Sequence, residues 1–201
     1  MLRVRKLEQT DVSLKLRLEV FTDPREINPL QLVNNLRRIL LSGIETVAID
    51  KVIFAVNEST LIDELLEHRI SLVPVFTEDY NEKLYLKVEC SKKEFFPCPI
   101  YSDYIISPNG TVKVKKDILL TYLVPGRKIE AIITLKKGTG KENIKFSPVT
   151  IVTFKELDKQ LFELYFEINE GYEINKIIKQ ALFVLKGKYE GLVIKLQGFK
   201  S

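Results

Sequence analysis

The sequence predicts an α+β protein. Two segments place apolar residues at helical spacing: Leu32, Val33, Leu36, Ile39 and Leu40 near the start, and Ile174, Ile177, Ile178, Ala181, Leu182 and Leu185 near the end. Two others, Leu14 to Val20 and Phe162 to Ile168, alternate apolar and polar residues, the period of a strand with one buried face. Between them, Phe76 to Thr153 reads as short strands separated by turns.

The elements follow in order. After the strand at Leu14 to Val20, Asp23-Pro24 signals a turn. Asn28-Pro29 opens the first helix, because Asn can cap free amides and Pro at the first helical position sacrifices no intrahelical bond. Gln31, Asn34, Asn35, Arg38 and Ser42 line its polar face, and Gly43 offers a left-handed cap. Val47 to Val56 has the composition of a buried strand. Thr60 to Asp63 fits a variant capping box for a short helix over about 61–69, and Pro74 stops anything helical. Leu84 to Val88 is the next strand. Asn109-Gly110, between Ile105-Ile106 and Val112 to Val114, is a hairpin signal. Ile129 to Leu135 and Val149 to Phe154 read as strands. The last helix starts near Gly171 and either ends at Gly187 or continues bent toward Leu196.

With 45% hydrophobic and 29% charged residues, the 201-residue chain has ordinary globular composition. The net charge of +4 is well mixed and permits a nucleic-acid neighbour without demanding one. Neither a signal peptide nor a membrane span is expected, and a reduced intracellular compartment follows as the default. Cys90 and Cys98 are too few for a disulfide framework, and with one histidine they cannot build a four-ligand metal site. They read as one buried thiol and one loop thiol.

Sharper chemistry finds little support. His68 lacks a signalled nucleophile partner, so a structural or interface use is expected. Asp63, Glu64 and Glu67 read as a solvated helix face, with Glu64 and His68 spaced i, i+4. Gly138-Thr139-Gly140-Lys141 lacks the length of a phosphate loop and is followed by strand-like residues rather than a helix. Lys113, Lys115 and Lys116 read as a solvated basic edge.

Three motifs carry a family resemblance. The first is Asn34-Asn35-Leu36-Arg37-Arg38-Ile39-Leu40-Leu41-Ser42. The second is Asp63-Glu64 with His68-Arg69 and Pro74. The third runs from Gly138 to Val149 and ends Lys145-Phe146-Ser147-Pro148-Val149. In this order they resemble the alpha-like assembly subunit of multisubunit DNA-directed RNA polymerases, in its archaeal (D-type) version and that of the eukaryotic third-largest subunit. The resemblance implies a discontinuous dimerisation domain of strands and two long helices, residues 1–75 and 154–201, with an inserted β-rich domain at 76–153. It implies pairing through the helices Pro29–Ser42 and Tyr172–Lys186, with the apolar residues named above as the dimer interface. Asn34, Arg37, Arg38, Lys145, Phe146 and Pro148 would contact a large subunit, the forked guanidiniums suiting carboxylates or carbonyls across an interface. The implied partners are a small alpha-like RNA polymerase subunit of the archaeal L type and, on the resulting platform, the second-largest and largest subunits; DNA is met only through the complex. No catalytic residue, cofactor or metal of its own is implied, and the setting is the cytoplasm of an archaeal-type cell. The cysteine-rich iron–sulfur and zinc modules of relatives are not expected, nor is a tethered DNA-binding domain after Ser201. The alternatives are a free-standing basic nucleic-acid-binding module and a homodimeric scaffold of the bacterial alpha type.

Overall fold

A computed structural model describes residues 2–21, 28–77 and 80–198. The Asp23-Pro24 turn lies outside them. Along the chain the strands and helices are β1 (Leu2–Gln9), β2 (Ser13–Val20), α1 (Pro29–Ser42), β3 (Glu45–Asn57), α2 (Asp63–Ser71), β4 (Val75–Phe76) and β5 (Leu84–Glu89). Then come β6 (Cys98–Tyr101), β7 (Ile105–Ile106), β8 (Lys113–Val114), β9 (Leu119–Leu123), β10 (Lys128–Thr139), β11 (Val149–Asp158), β12 (Leu161–Ile168) and α3 (Ile174–Gly198).

The chain forms two compact units, one from residues up to Glu45 and from Thr139 onward, the other from Thr46–Gly138. These divisions differ from the ones expected after Val75 and Thr153. The reason is pairing. β3 joins a sheet with β10, β5 and β7, and Leu66 and Ile70 of α2 are buried in the same core as Ile49 and Val52 of β3. β11 pairs with β12 along most of its length and puts Val149 and Val152 in the other core.

In the first unit the sheet order is β1-β2-β12-β11. Leu14, Leu16, Leu18 and Val20 lie on the same buried face as Phe162, Leu164, Phe166 and Ile168, with Leu16 directly opposite Leu164. Both long helices pack on that face. On the wet face Arg17 stands opposite Glu163 and donates to it at 2.8 Å; this bond, with Lys15 adding to it, lowers the Glu163 carboxyl below its ordinary value. β1 is an addition to the elements expected from periodicity. Its described side chains are all exposed, so it has no buried face to impose a period.

α1 starts as the sequence indicates: the Asn28 side chain accepts from the Leu30 amide and Pro29 is the first helical residue. Gly43 caps the other end, but with right-handed backbone (φ −102°). A Cβ there would lie 3.1 Å from the Ile39 Cα, a tight contact that a few tenths of an ångström of movement would relieve. α3 runs unbroken through Gly187 to Gly198.

The second unit holds three further corrections. α2 begins at Asp63 after Ile62, without the expected capping box. Asn57 instead donates to the Leu61 carbonyl and to Asp63 and organises the entry. The Asn109-Gly110 turn exists, with Gly110 at φ +69° where a side chain would be strained. The strands flanking it, however, do not pair with each other: β7 pairs with β5 and β8 with β4. The turn is gathered by the buried Glu82 carboxylate, which accepts from Thr111, from the Asn109 amide at 2.8 Å and from Ser107 at 2.8 Å. Finally, Cys90 and Cys98 form a disulfide. The turn between β9 and β10 brings them together: Gly126 and Arg127 bond the Cys90 backbone on one side, and Leu123 pairs with Cys98 on the other.

Candidate functional site

α1 and α3 pack against each other and against the sheet of the first unit. Of the residues expected at a dimer interface, Val33, Leu36, Ile39, Leu40, Ile174, Ile177 and Ala181 are buried in the chain's own core. Leu32, Ile178 and Leu185 are half-buried at its edge, and Leu182 is exposed. The structure thus uses most of the apolar stripe to seat the two helices.

The outward apolar surface comes from other residues. Ala181-Leu182-Phe183-Val184-Leu185 has no polar member. Five successive residues cover a full turn of helix, and one sheet can take up only one side of it. Ala181 is fully buried, Val184 and Leu185 pack at the margin, Leu182 is 40% exposed, and Phe183 is 77% exposed. Phe183 escapes the sequence reading because it lies off the stripe at i, i+3, i+4. The run of five apolar residues is the signal that could have found it. Leu30, at the start of α1, is exposed too.

The Arg-Arg pair divides. Arg37 Nε donates to the Asn34 side chain at 3.1 Å, so these two residues lock one another. Arg38 is exposed and lines a cleft of about 540 Å³ with Asn35, Ser42, Lys141, Lys188 and Tyr189. The Asn35 side-chain amide reaches the Tyr189 hydroxyl at 3.5 Å.

The third motif meets the first. Phe146 and Pro148 are buried, and the Lys145 ammonium lies 5.4 Å from the Phe146 ring centroid. Ser147, which carried no expectation, shares its hydroxyl proton between the Leu41 carbonyl at the end of α1 and the Val149 carbonyl. The Lys141 amide donates to the Ser42 carbonyl, and Gly140 comes so near that a Cβ would stand 2.5 Å from the Leu41 oxygen. Motifs about a hundred residues apart in sequence therefore fix one helix end. A short 3₁₀ turn, Ile144–Phe146, follows the Gly-Thr-Gly-Lys segment.

The acidic residues of α2 go separate ways. Asp63 accepts from Asn57, and Glu67 accepts from the Val52 amide at 3.2 Å. Arg69 donates to the Leu119 carbonyl. Among the described residues no group of three His, Cys, Asp or Glu converges as a metal site would require, and no helix is long and apolar enough to cross a membrane.

Residues 28–189 match the profile of the RNA polymerase Rpb3/Rpb11 dimerisation domain, a span that includes all of α1 and most of α3. The chain is 30% identical to the DNA-directed RNA polymerase subunit Rpo3 of Methanocaldococcus jannaschii over 169 residues, covering 84% of this chain and 86% of that protein. It is 32% identical over 139 residues to the Rpo3 subunit of Thermococcus kodakarensis, covering 63% of this chain and 51% of the relative. It is 29% identical over 165 residues to human RPAC1 of RNA polymerases I and III, covering 63% of this chain and 48% of the relative. The chain thus spans most of the first relative and about half the length of the other two.

Proposed function

This chain belongs to the RNA polymerase Rpb3/Rpb11 dimerisation family, and on that premise we propose that it pairs with a small alpha-like subunit through α1 and α3 to make the platform for the two large polymerase subunits. It is a non-catalytic assembly subunit of a DNA-directed RNA polymerase and part of a multisubunit enzyme. The pairing, the identity of the small partner as the L type, and the contacts to the second-largest and largest subunits are our reading. So is its place in the cytoplasm of an archaeal-type cell, supported by its archaeal relatives.

One observation carries the pairing: Leu182 and Phe183 stand exposed within an apolar run whose other members are already packed. A matching helix pair on a partner would bury them. Arg38, beside its cleft, is the guanidinium placed to reach outward, whereas Arg37 holds Asn34. We assign the large-subunit contact to Arg38 and the exposed part of Lys145 rather than to Phe146 and Pro148, which lie inside. The free-standing nucleic-acid module and the bacterial-type homodimer are not favoured.

The test is co-expression with the small alpha-like subunit of the same genome, followed by sizing with light scattering. A 1:1 complex that separates when Leu182 and Phe183 become Asp supports the reading. A stable homodimer indifferent to that partner overturns it.

A further inference from the structure

The second unit carries an apolar surface that its own core does not use. Its sheet has the order β3-β10-β5-β7. One face, with Val52, Ile133, Leu84, Leu86 and Ile105, is core. The other faces solvent and should be polar, as for any antiparallel sheet covered on one side. Instead one apolar residue from each strand stands in a row. Tyr85 of β5 is directly opposite Ile132 of β10 on one side and Ile106 of β7 on the other. The Lys51 carbonyl accepts from Thr134, and the Glu58 amide donates to the Lys128 carbonyl. β3 and β10 therefore run oppositely and bring Ile53 alongside Ile132. Exposure along the row runs from 38% at Ile132 to 60% at Ile53.

We propose that this row is the seat of an amphipathic helix with acidic flanks, belonging to another subunit of the polymerase. The proposal rests on the assembly reading above. Four strands at about 4.8 Å spacing make a row of roughly 14 Å, which two to three turns of helix would match with apolar residues at i, i+3 or i+4, and i+7. The frame selects the charge. Exposed Lys51, Lys83 and Lys87 and half-exposed Lys128 surround the row against two carboxylates, Glu130, held by Lys128 at 3.3 Å and Lys87 at 3.7 Å, and exposed Glu89, opposite Lys128, so the basic excess rests on Lys51 and Lys83. Acidic flanks complement such a frame, and a second copy of this chain would set lysine against lysine. Size decides the rest. Four half-exposed side chains fall far short of the roughly 800 Å² per partner that a stand-alone complex buries. The occupant must therefore be one element of a protein held to this chain elsewhere as well, as a neighbour in a multisubunit assembly is.

The experiment uses the full chain co-expressed with the small alpha-like subunit and the other polymerase subunits of the same genome. A photo-crosslinking phenylalanine derivative replaces Tyr85, and crosslinked peptides are sequenced. A second sample carries Tyr85→Glu with Ile132→Glu, exposed positions whose substitution leaves the core intact. The expected result is a crosslink to a helix with that apolar spacing and Asp or Glu beside it. Recovery of that subunit should then fall about tenfold or more in the double variant, while pairing with the small subunit is unchanged. A complete assembly without that crosslink, a crosslink to a second copy or to nucleic acid, or unaltered recovery in the double variant overturns the proposal alone. Failure of the unmodified chain to pair with the small subunit overturns the assembly reading and this proposal with it.

Discussion

The Ser147 hydroxyl lies 3.0 Å from the Leu41 carbonyl and 2.7 Å from the Val149 carbonyl and shares its one proton between them, so a loop residue far along the chain meets the end of the first helix. The last carbonyls of a helix lack intrahelical donors, and a buried one left unpaired is costly. Ser147→Ala should destabilise the chain by about 1–2 kcal/mol, read as a lower denaturation midpoint. Gly140→Ala should be worse, because its Cβ would meet the same Leu41 backbone oxygen rather than a side chain that could move. An unchanged midpoint in both variants would show that this helix end is not held here.

Burying a Phe side chain contributes roughly 1.5–3 kcal/mol, which corresponds to about ten- to a hundredfold in affinity. Phe183→Asp should therefore weaken pairing with the small alpha-like subunit by at least that factor, measured by titration on a sizing column. The isolated variant should remain as stable as the parent, since Phe183 packs on nothing in its own chain to the extent that Ala181 does. A loss of stability equal to the loss of pairing would place Phe183 in the chain's own fold instead.

Periodicity makes β2, β12 and both long helices legible, because each buries one face and the buried residues repeat. The Asn28-Pro29 start of α1 is legible because its cap is local. What stays hidden depends on distant pairing. The Asn109-Gly110 turn is visible, but its flanking strands find partners elsewhere, and Glu82, which holds the turn, lies 27 residues from Asn109. At the proposed interface, the apolar stripe picks out two helices and mostly their inward residues, since a helix wrapped in apolar residues has no period to separate its own core from a partner's. Family motifs have the same ambiguity: Phe146 and Pro148 are buried beside the end of α1, a use that sequence alone does not distinguish from external contact.

The Cys90–Cys98 disulfide closes a short loop that displays Phe95 and Phe96. In the chain-entropy account, closing a loop of about this length contributes roughly 2–3 kcal/mol by restricting the unfolded chain. Thiol titration of the denatured, unreduced protein should find no free thiol. Replacing both cysteines with Ala should lower stability by about that amount, with the loss of Cys90 packing adding to it. Two titratable thiols and no effect of a dithiol reductant on the unfolding midpoint would rule the bridge out in solution. Intracellular proteins of hyperthermophilic archaea do carry disulfides, so a bridge is compatible with an archaeal-type cytoplasm.

The acid limb of stability has an identifiable source in Glu82. Its carboxylate accepts from the Thr111 hydroxyl first of all, and from the Asn109 amide and the Ser107 hydroxyl, which together hold it below its ordinary value of 4.5 against the opposing effect of burial. A carboxyl whose folded value is depressed stabilises the fold above its unfolded value, and that contribution is lost as pH falls through the folded one. Glu82→Gln should therefore be less stable than the parent at pH 7. The gap should begin to narrow as pH drops below about 4.5, where the carboxyl of the unfolded chain takes up its proton, and should be lost once pH falls through the lower folded value. Glu163, lowered mainly by its bond from Arg17, acts in the same direction, so the glutamine variant should retain part of the acid sensitivity. Denaturant midpoints from pH 7 to pH 3 give the comparison. A parent-to-variant gap that stays constant across that range would show that the Glu82 charge is not what holds the Asn109-Gly110 turn.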